Sequence, residues 1–279
     1  MNHRMNAGAG MVLGALCVLA AGRAAHGQEA MYTAAATMPS KGTVLLREQF
    51  FYAAYGDDPT HGVSHTNLYT LDTNVAIGIE RGLALYIDVP LQTRHQHLQN
   101  GPYDTDTLVP DTDLTLKWRV YQDDSGGVDT LRVAVLGGVR FGTDGEFSAN
   151  PHLGAVLTKV WGRHGFNQEL YYTFNTGTDS ANNYWGTGTA DALGFNSAYL
   201  FRIEPEAYTS ESTGAWYVTA EMNGLYETNG DTELRFSPGL MYEGRDFGFE
   251  LMAQVPIYAD VHHRAPLQWS IGVGVRFLF

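Results

Sequence analysis

From residue 69 onward, apolar and polar residues trade places at every second position along most of the chain. The stretch 69–80, YTLDTNVAIGIE, sets Tyr69, Leu71, Val75, Ile77 and Ile79 on one face and Asp72, Asn74, Ala76, Gly78 and Glu80 on the other. After Arg81-Gly82, Leu83, Leu85, Ile87, Val89 and Leu91 point one way, with Tyr86, Asp88 and Gln92 opposite. Two alternating runs separated by a two-residue turn predict a β-hairpin. Residues 113–121 set Leu114, Leu116, Trp118 and Val120 against Thr115, Lys117, Arg119 and Tyr121. In 130–141, Leu131, Val133, Val135, Val139 and Phe141 oppose Arg132 and Arg140. TELRFSPGLMY and FGFELMAQVPIY repeat the pattern across the short turn at 243–246. Strands are also expected around 43–55, 152–161, 166–175, 190–203 and 215–226, with less decided facing. No segment carries a convincing amphipathic-helix period.

The pattern predicts an all-β fold of about 12 strands, each near the 9–11 residues that cross a bilayer at a tilt. Long polar loops are expected at 56–67, 94–111, 142–151 and 176–190, alternating with short turns at 81–82, 162–165 and 243–246. The connection at 204–214 is longer, and that at 228–231 shorter, than this alternation asks. In hydrocarbon every backbone amide needs a partner within the protein, so such a sheet must close on itself. The expected architecture is therefore a closed antiparallel transmembrane β-barrel, an up-and-down meander. A soluble β-sandwich has the same alternation, with one buried and one wet face. The final stretch, LQWSIGVGVRFLF, places Leu267, Trp269, Ile271, Val273, Val275, Phe277 and Phe279 on one face. As a last strand it would pair with the first. An alternating terminal strand ending in phenylalanine resembles the assembly signal of bacterial outer-membrane barrels, which makes Phe279 the expected contact with the barrel-assembly machinery.

Composition fits this picture. Charged residues make up only 17% of the chain and mean hydropathy is slightly negative, yet no run of 18 or more apolar residues supplies a spanning helix. Residues 1–27 read as a cleaved signal peptide: Arg4, an apolar stretch over 11–20, then small residues ending Ala25-His26-Gly27. A short membrane anchor is the alternative. A lipoprotein reading of Cys17 is set aside, because Leu16 stands where a small residue is needed. The domain division is thus 1–27 leader and 28–279 barrel, delivered through the periplasm to the outer membrane with its lipids as surroundings. Cleavage removes the one cysteine, and with it thiol chemistry and Cys-based zinc sites. It leaves 15 basic against 30 acidic residues, a balance that argues against a nucleic-acid partner.

From about residue 67 to the end, the segments GIERGLALYIDVPL, DTDLTLKWRVY, LRVAVLGGVRFGTDGE, EMNGLY, RFSPGLMYEGRDFGFELMAQVPIY and IGVGVRFLF carry a resemblance. The chain resembles the outer-membrane transporter family named for the meta-cleavage pathway of phenol degradation. That resemblance implies a barrel of about this size, passing small, often hydrophobic or aromatic compounds, with no catalytic residues and no cofactor.

The expected lumen is charged. Lys117, Arg119, Arg132 and Arg140 would form a basic stripe on adjacent strands, with Asp72, Glu80 and Asp88 before it and Glu221, Glu233 and Glu250 after it. Opposed acidic and basic walls would orient a dipolar solute and filter ions. Alternatively the groups pair with one another and plug a barrel narrower than a porin. His61, His65, His95, His97, His262 and His263 fall in or near expected loops at one rim. Imidazole is a common ligand for divalent metals, so they are weak metal candidates beside the plainer reading of solvated loop residues. No G-x-S-x-G or H-E-x-x-H occurs. Ser270 faces inward on the last strand, but its nearest histidines lie in the loop before it with no evident orienting residue, which disfavours an outer-membrane hydrolase. Phe50, Tyr69, Trp118, Trp161, Tyr171, Trp216 and Trp269 suit either interfacial girdles or an aromatic path. The expected function is passive transport of a small solute, against the alternative of a non-conducting structural or binding barrel acting through its loops.

Overall fold

The computed structural model describes residues 28–126, 129–142, 148–176, 184–209 and 212–279. The leader expected over 1–27 lies outside the described residues. Thirteen strands follow in chain order: β1 (Val44–Tyr55), β2 (Val63–Glu80), β3 (Leu83–Leu98), β4 (Tyr103–Leu108), β5 (Asp111–Gly126), β6 (Asp129–Gly142), β7 (Ser148–Trp161), β8 (His164–Thr173), β9 (Ala192–Glu204), β10 (Gly214–Glu227), β11 (Thr232–Gly244), β12 (Phe247–Asp260) and β13 (Leu267–Leu278). Twelve of them close an antiparallel up-and-down barrel, and β4 lies against the outer part of β3. Closure is made by β1 and β13, from Leu45 opposite Leu278 to Tyr55 opposite Leu267. The Val44 and Phe279 amides and carbonyls complete it with two hydrogen bonds of 3.0 and 2.9 Å. A ring leaves no unpaired strand edge, which satisfies the backbone in a medium without water.

The barrel wall explains the alternation. Leu116, Leu153, Leu170, Val218, Leu251 and Ile271 stand exposed on the outside, where hydrocarbon rather than water meets them. Outward aromatics gather at two levels. Trp118, Trp161, Trp216, Phe247 and Phe277 ring the end that carries the short turns, and Tyr69, Tyr226, Tyr258 and Trp269 ring the other. Trp216 and Tyr226 are ten residues apart on β10, which at about 3.3 Å per residue and a tilt near 40° is about 25 Å, the height of an outer-membrane apolar band. The molecule is an outer-membrane β-barrel. A sandwich would bury this face instead.

Arg81-Gly82 makes its tight turn with Gly82 at φ 79°, a left-handed conformation that a side chain disfavours. One expected loop is corrected. Residues 94–111 are largely strand, because β3 runs on to Leu98 and β4 pairs back from Gln92–Leu108 to His97–Tyr103. Beyond the bilayer the outward positions Thr93, His95 and His97 are polar, so the ladder continues without the apolar alternation that would reveal it. Likewise β2 starts at Val63 and β7 at Ser148, inside the ranges expected as loops. The two exceptional connections stand as the sequence suggested, with the 205–213 link long at the turn end and the 228–231 turn short at the loop end.

Residues 28–43 enter no strand. They arch into the turn-end half of the lumen and out again to β1, with Ala30, Ala35 and Ala36 almost wholly buried.

Candidate functional site

The arch is held mainly through its main chain. The Glu221 carboxylate accepts from the Met31 and Tyr32 amides and, at 2.6 Å, from the Thr33 hydroxyl. The Ala36 amide donates to Thr158 Oγ1 at 2.8 Å. Arch carbonyls accept from wall side chains: Gln28 from Asn167 at 2.7 Å, Ala30 from Arg47 at 2.9 Å and Ala35 from Lys117 at 3.0 Å. Each donor or acceptor sits on an inward position of the period-two pattern, which is why several strands can reach one passing segment. Gly165 and Gly78 make room for it. A Cβ on Gly165 would run into the Gln28 side chain, and one on Gly78 into the Ser40 carbonyl. Around the arch, Glu250 pairs with Arg47 at 2.6 Å and Arg276 at 3.4 Å, while Lys117 lies 3.7 Å from Glu29 and over the Tyr86 ring. Such buried charges need partners on every side to offset their lost hydration.

Above the arch, toward the loop end, lies a cavity of about 470 Å³. Its floor is Tyr32 at the tip of the arch, stacked on Phe51 with centroids 5.5 Å apart. Its upper wall is the segment holding Tyr184 and Trp185. That segment is clamped by buried ions. The fully buried Arg264 pairs with Glu227 at 2.7 Å and Glu233 at 2.8 Å and donates to the Tyr184 carbonyl at 3.2 Å. Arg235 pairs with Glu233 at 2.9 Å and lies 3.7 Å over the Trp185 ring. Gln96 donates to the Tyr184 hydroxyl, whose proton is held up to a pKa of about 12, chiefly by burial. One side wall is acidic. Asp72 and Asp88 line it from the neighbouring strands β2 and β3, and Asp113 faces Arg140 at 3.5 Å and His152 at 3.6 Å. Apolar rings above and below with a polar wall between are the usual make-up of a small-molecule pocket.

The ten lumen residues expected from sequence separate by height. Asp72, Asp88 and Arg140 line the cavity. Lys117 and Glu221 hold the arch directly, and Glu250 does so through Arg47. Glu233 belongs to the clamp on Tyr184 and Trp185. Glu80, Arg119 and Arg132 lie at the turn-end rim: Glu80 is exposed and pairs with Lys41 at 2.7 Å, Arg132 pairs with Asp124 at 3.0 Å, and Arg119 packs beside Gly82. The expected basic stripe is thus one face but three levels. Tyr32, Arg47, Tyr184, Trp185 and Arg264 were not expected. For Arg235 a signal existed, since Glu233 and Arg235 stand two apart on one strand and therefore share a face.

The histidines form pairs rather than a cluster. His61 contacts Asp58 at 3.0 Å, His262 contacts Asp260 at 2.9 Å and His263 contacts Asp231 at 2.9 Å. His65 stacks on His97, with centroids 5.1 Å apart, and His95 meets Thr105. Among the described residues no group of three or more His, Cys, Asp or Glu is placed to hold a metal ion. Ser270 faces the cavity, whose lining it shares with Tyr32. Of the aromatics, Tyr69, Trp118, Trp161, Trp216 and Trp269 face outward as girdle residues and Phe50 faces outward midway between the girdles, opposite Leu71 and Val273, whereas the Tyr171 ring turns inward over Gly194.

The chain matches no protein-family model and no curated protein sequence. Among solved structures it is similar to an outer membrane channel from Pseudomonas putida F1, with a TM-score of 0.49 and 10% identity over 87% of this chain and 97% of that one. It is also similar to the NanC porin, at a TM-score of 0.48 and 13% identity over 84% and 98% of the two chains. A third is the β domain of the Bordetella autotransporter BrkA, at 0.48 and 10% over 86% and 100%.

Proposed function

We propose that this barrel carries small solutes with an apolar or aromatic body passively across the outer membrane, as the resemblance to the phenol-pathway transporters implies. The cavity supports this reading best. Rings of Tyr32, Phe51, Tyr184 and Trp185 offer apolar contact, while Asp72, Asp88 and Arg140 offer a hydroxyl or other polar group its hydrogen bonds. Movement needs only a gradient, and selectivity comes from cavity size and the charged wall.

The test is flux into liposomes holding the refolded protein, with simple phenols and sized sugars side by side. Phenol entry above the bare-membrane leak, with sugars excluded, is the expected result. No entry of either, from protein shown to be folded, would remove the transport reading. The arch across the lumen favours a second reading, a closed barrel that binds its ligand in the cavity and passes nothing. That reading expects phenol to quench tryptophan fluorescence without any flux.

A further inference from the structure

We propose that residues 28–41 are a gate, and that solute leaves the cavity only when this arch withdraws from the lumen at the turn end. The inference rests on the passage reading above and adds to it how the path opens.

Three observations carry it. First, both ends of the arch lie at the turn end. Gln28 sits against Gly165 and Tyr217, close to the β7–β8 and β9–β10 connections, and Lys41 pairs with Glu80 beside the 81–82 turn. Gly42 donates to the Gly78 carbonyl there, so the chain is fastened to the wall just before β1 begins. The arch can therefore leave the lumen as a loop, without threading its end through the barrel.

Second, the wall behind it is polar. Lys117, Arg47 and Arg276 face Glu221, Glu250, Glu169 and Glu243, with Thr158 and Asn167 alongside. A permanently filled interior is best lined by apolar side chains, whereas these groups are readily solvated when water replaces the arch. The arch's apolar side chains are mostly methyl-sized, Ala30, Ala34, Ala35 and Ala36, with Met31, Tyr32 and Met38 the larger exceptions, so the apolar surface that resists withdrawal is limited.

Third, the tip of the arch is the floor of the cavity. Tyr32 lines the cavity while its own amide is held by Glu221, so the state of the arch sets whether the cavity has a floor.

A covalent lock tests this in the full chain. Ala36 on the arch and Ala134 on β6 lie in one buried cluster, and Cys17, the only cysteine of the sequence, falls in the leader. The Ala36→Cys, Ala134→Cys double variant is compared, oxidised and reduced, with wild type and with the Ala36→Cys single variant, by phenol flux and planar-bilayer conductance. Cross-linking is checked by mass. The expected result is at least a tenfold loss of flux on oxidation, restored by dithiothreitol and absent from the single variant. Flux through the cross-linked barrel equal to wild type overturns the gate. A second arm removes residues 28–40. If this barrel conducts while wild type stays closed, the arch is a fixed plug and the gate is likewise overturned. If folded barrels of every kind pass nothing, the passage reading falls with it.

Discussion

Glu221 shows how much one side chain can organise when it is the shared acceptor of a passing chain. Its two oxygens take hydrogen bonds from three consecutive residues, Met31, Tyr32 and Thr33. Hydrogen bonds to a charged acceptor are worth about 1.5–3 kcal/mol each, so Glu221→Gln, which brings an amide donor against those amides, should loosen the arch. Phenol flux into liposomes is expected to rise several-fold while barrel unfolding stays near wild type, since the wall hydrogen bonds are untouched. Asp231 plays a similar part at the loop end, accepting from the His262 and His263 amides and the His263 ring. Burial acts to raise its carboxyl, but the bonds from His262 and His263 outweigh it and hold it below its ordinary value of 3.8. A depressed carboxylate stabilises the ordered rim above that ordinary value, and the contribution is lost as pH falls through the lowered one. Proteolysis at 261–266 should therefore quicken below about pH 4, and Asp231→Asn should show the same faster cutting at neutral pH. At this scale the sequence told which charged residues face in, because alternation fixes facing. It did not tell their height relative to one another across the barrel, which depends on the stagger between strands: Arg140 on β6 lines the cavity, whereas Lys117 on β5 and Glu221 on β10 hold the arch.

The strands are individually plain and collectively closed, and their boundaries follow the solvent they meet. Where the outside is hydrocarbon, apolar residues mark every second position; where it is water, as on the outer parts of β3 and β4, the ladder continues with no such mark. Leu251 lies outward on β12, between Phe247 and Tyr258 and opposite Val273. Leu251→Lys is expected to destabilise the barrel by about 2–4 kcal/mol in reversible unfolding from lipid bilayers. An effect near zero would place that wall in water. The last strand closes the ring with Phe279 outward, near Phe277 at 6.4 Å. Phe279→Ser removes a ring while keeping the two backbone bonds to Val44. It should lower the amount of folded barrel in cells several-fold while leaving refolding into detergent unchanged, which separates recognition by the assembly machinery from intrinsic stability.

At the scale of the whole molecule, the barrel, the arch and the 184–191 segment together make one enclosed space that none of them makes alone. Tyr32→Ala removes the ring between cavity and arch, and should raise phenol flux and weaken phenol binding by fluorescence titration together. A loss of flux would mean that the tyrosine assists passage rather than limits it. The sequence by itself determined the wall: period-two alternation, tight turns such as Arg81-Gly82 and the apolar final strand dictate a closed sheet, because unpaired amides are too costly in hydrocarbon. It could not determine the contents of that wall. Residues 28–43 carry no period and few large side chains, so nothing local announces that they fold inward. Their place follows from carboxylates, hydroxyls, an amide and cations contributed by seven different strands, which come together only once the barrel has closed.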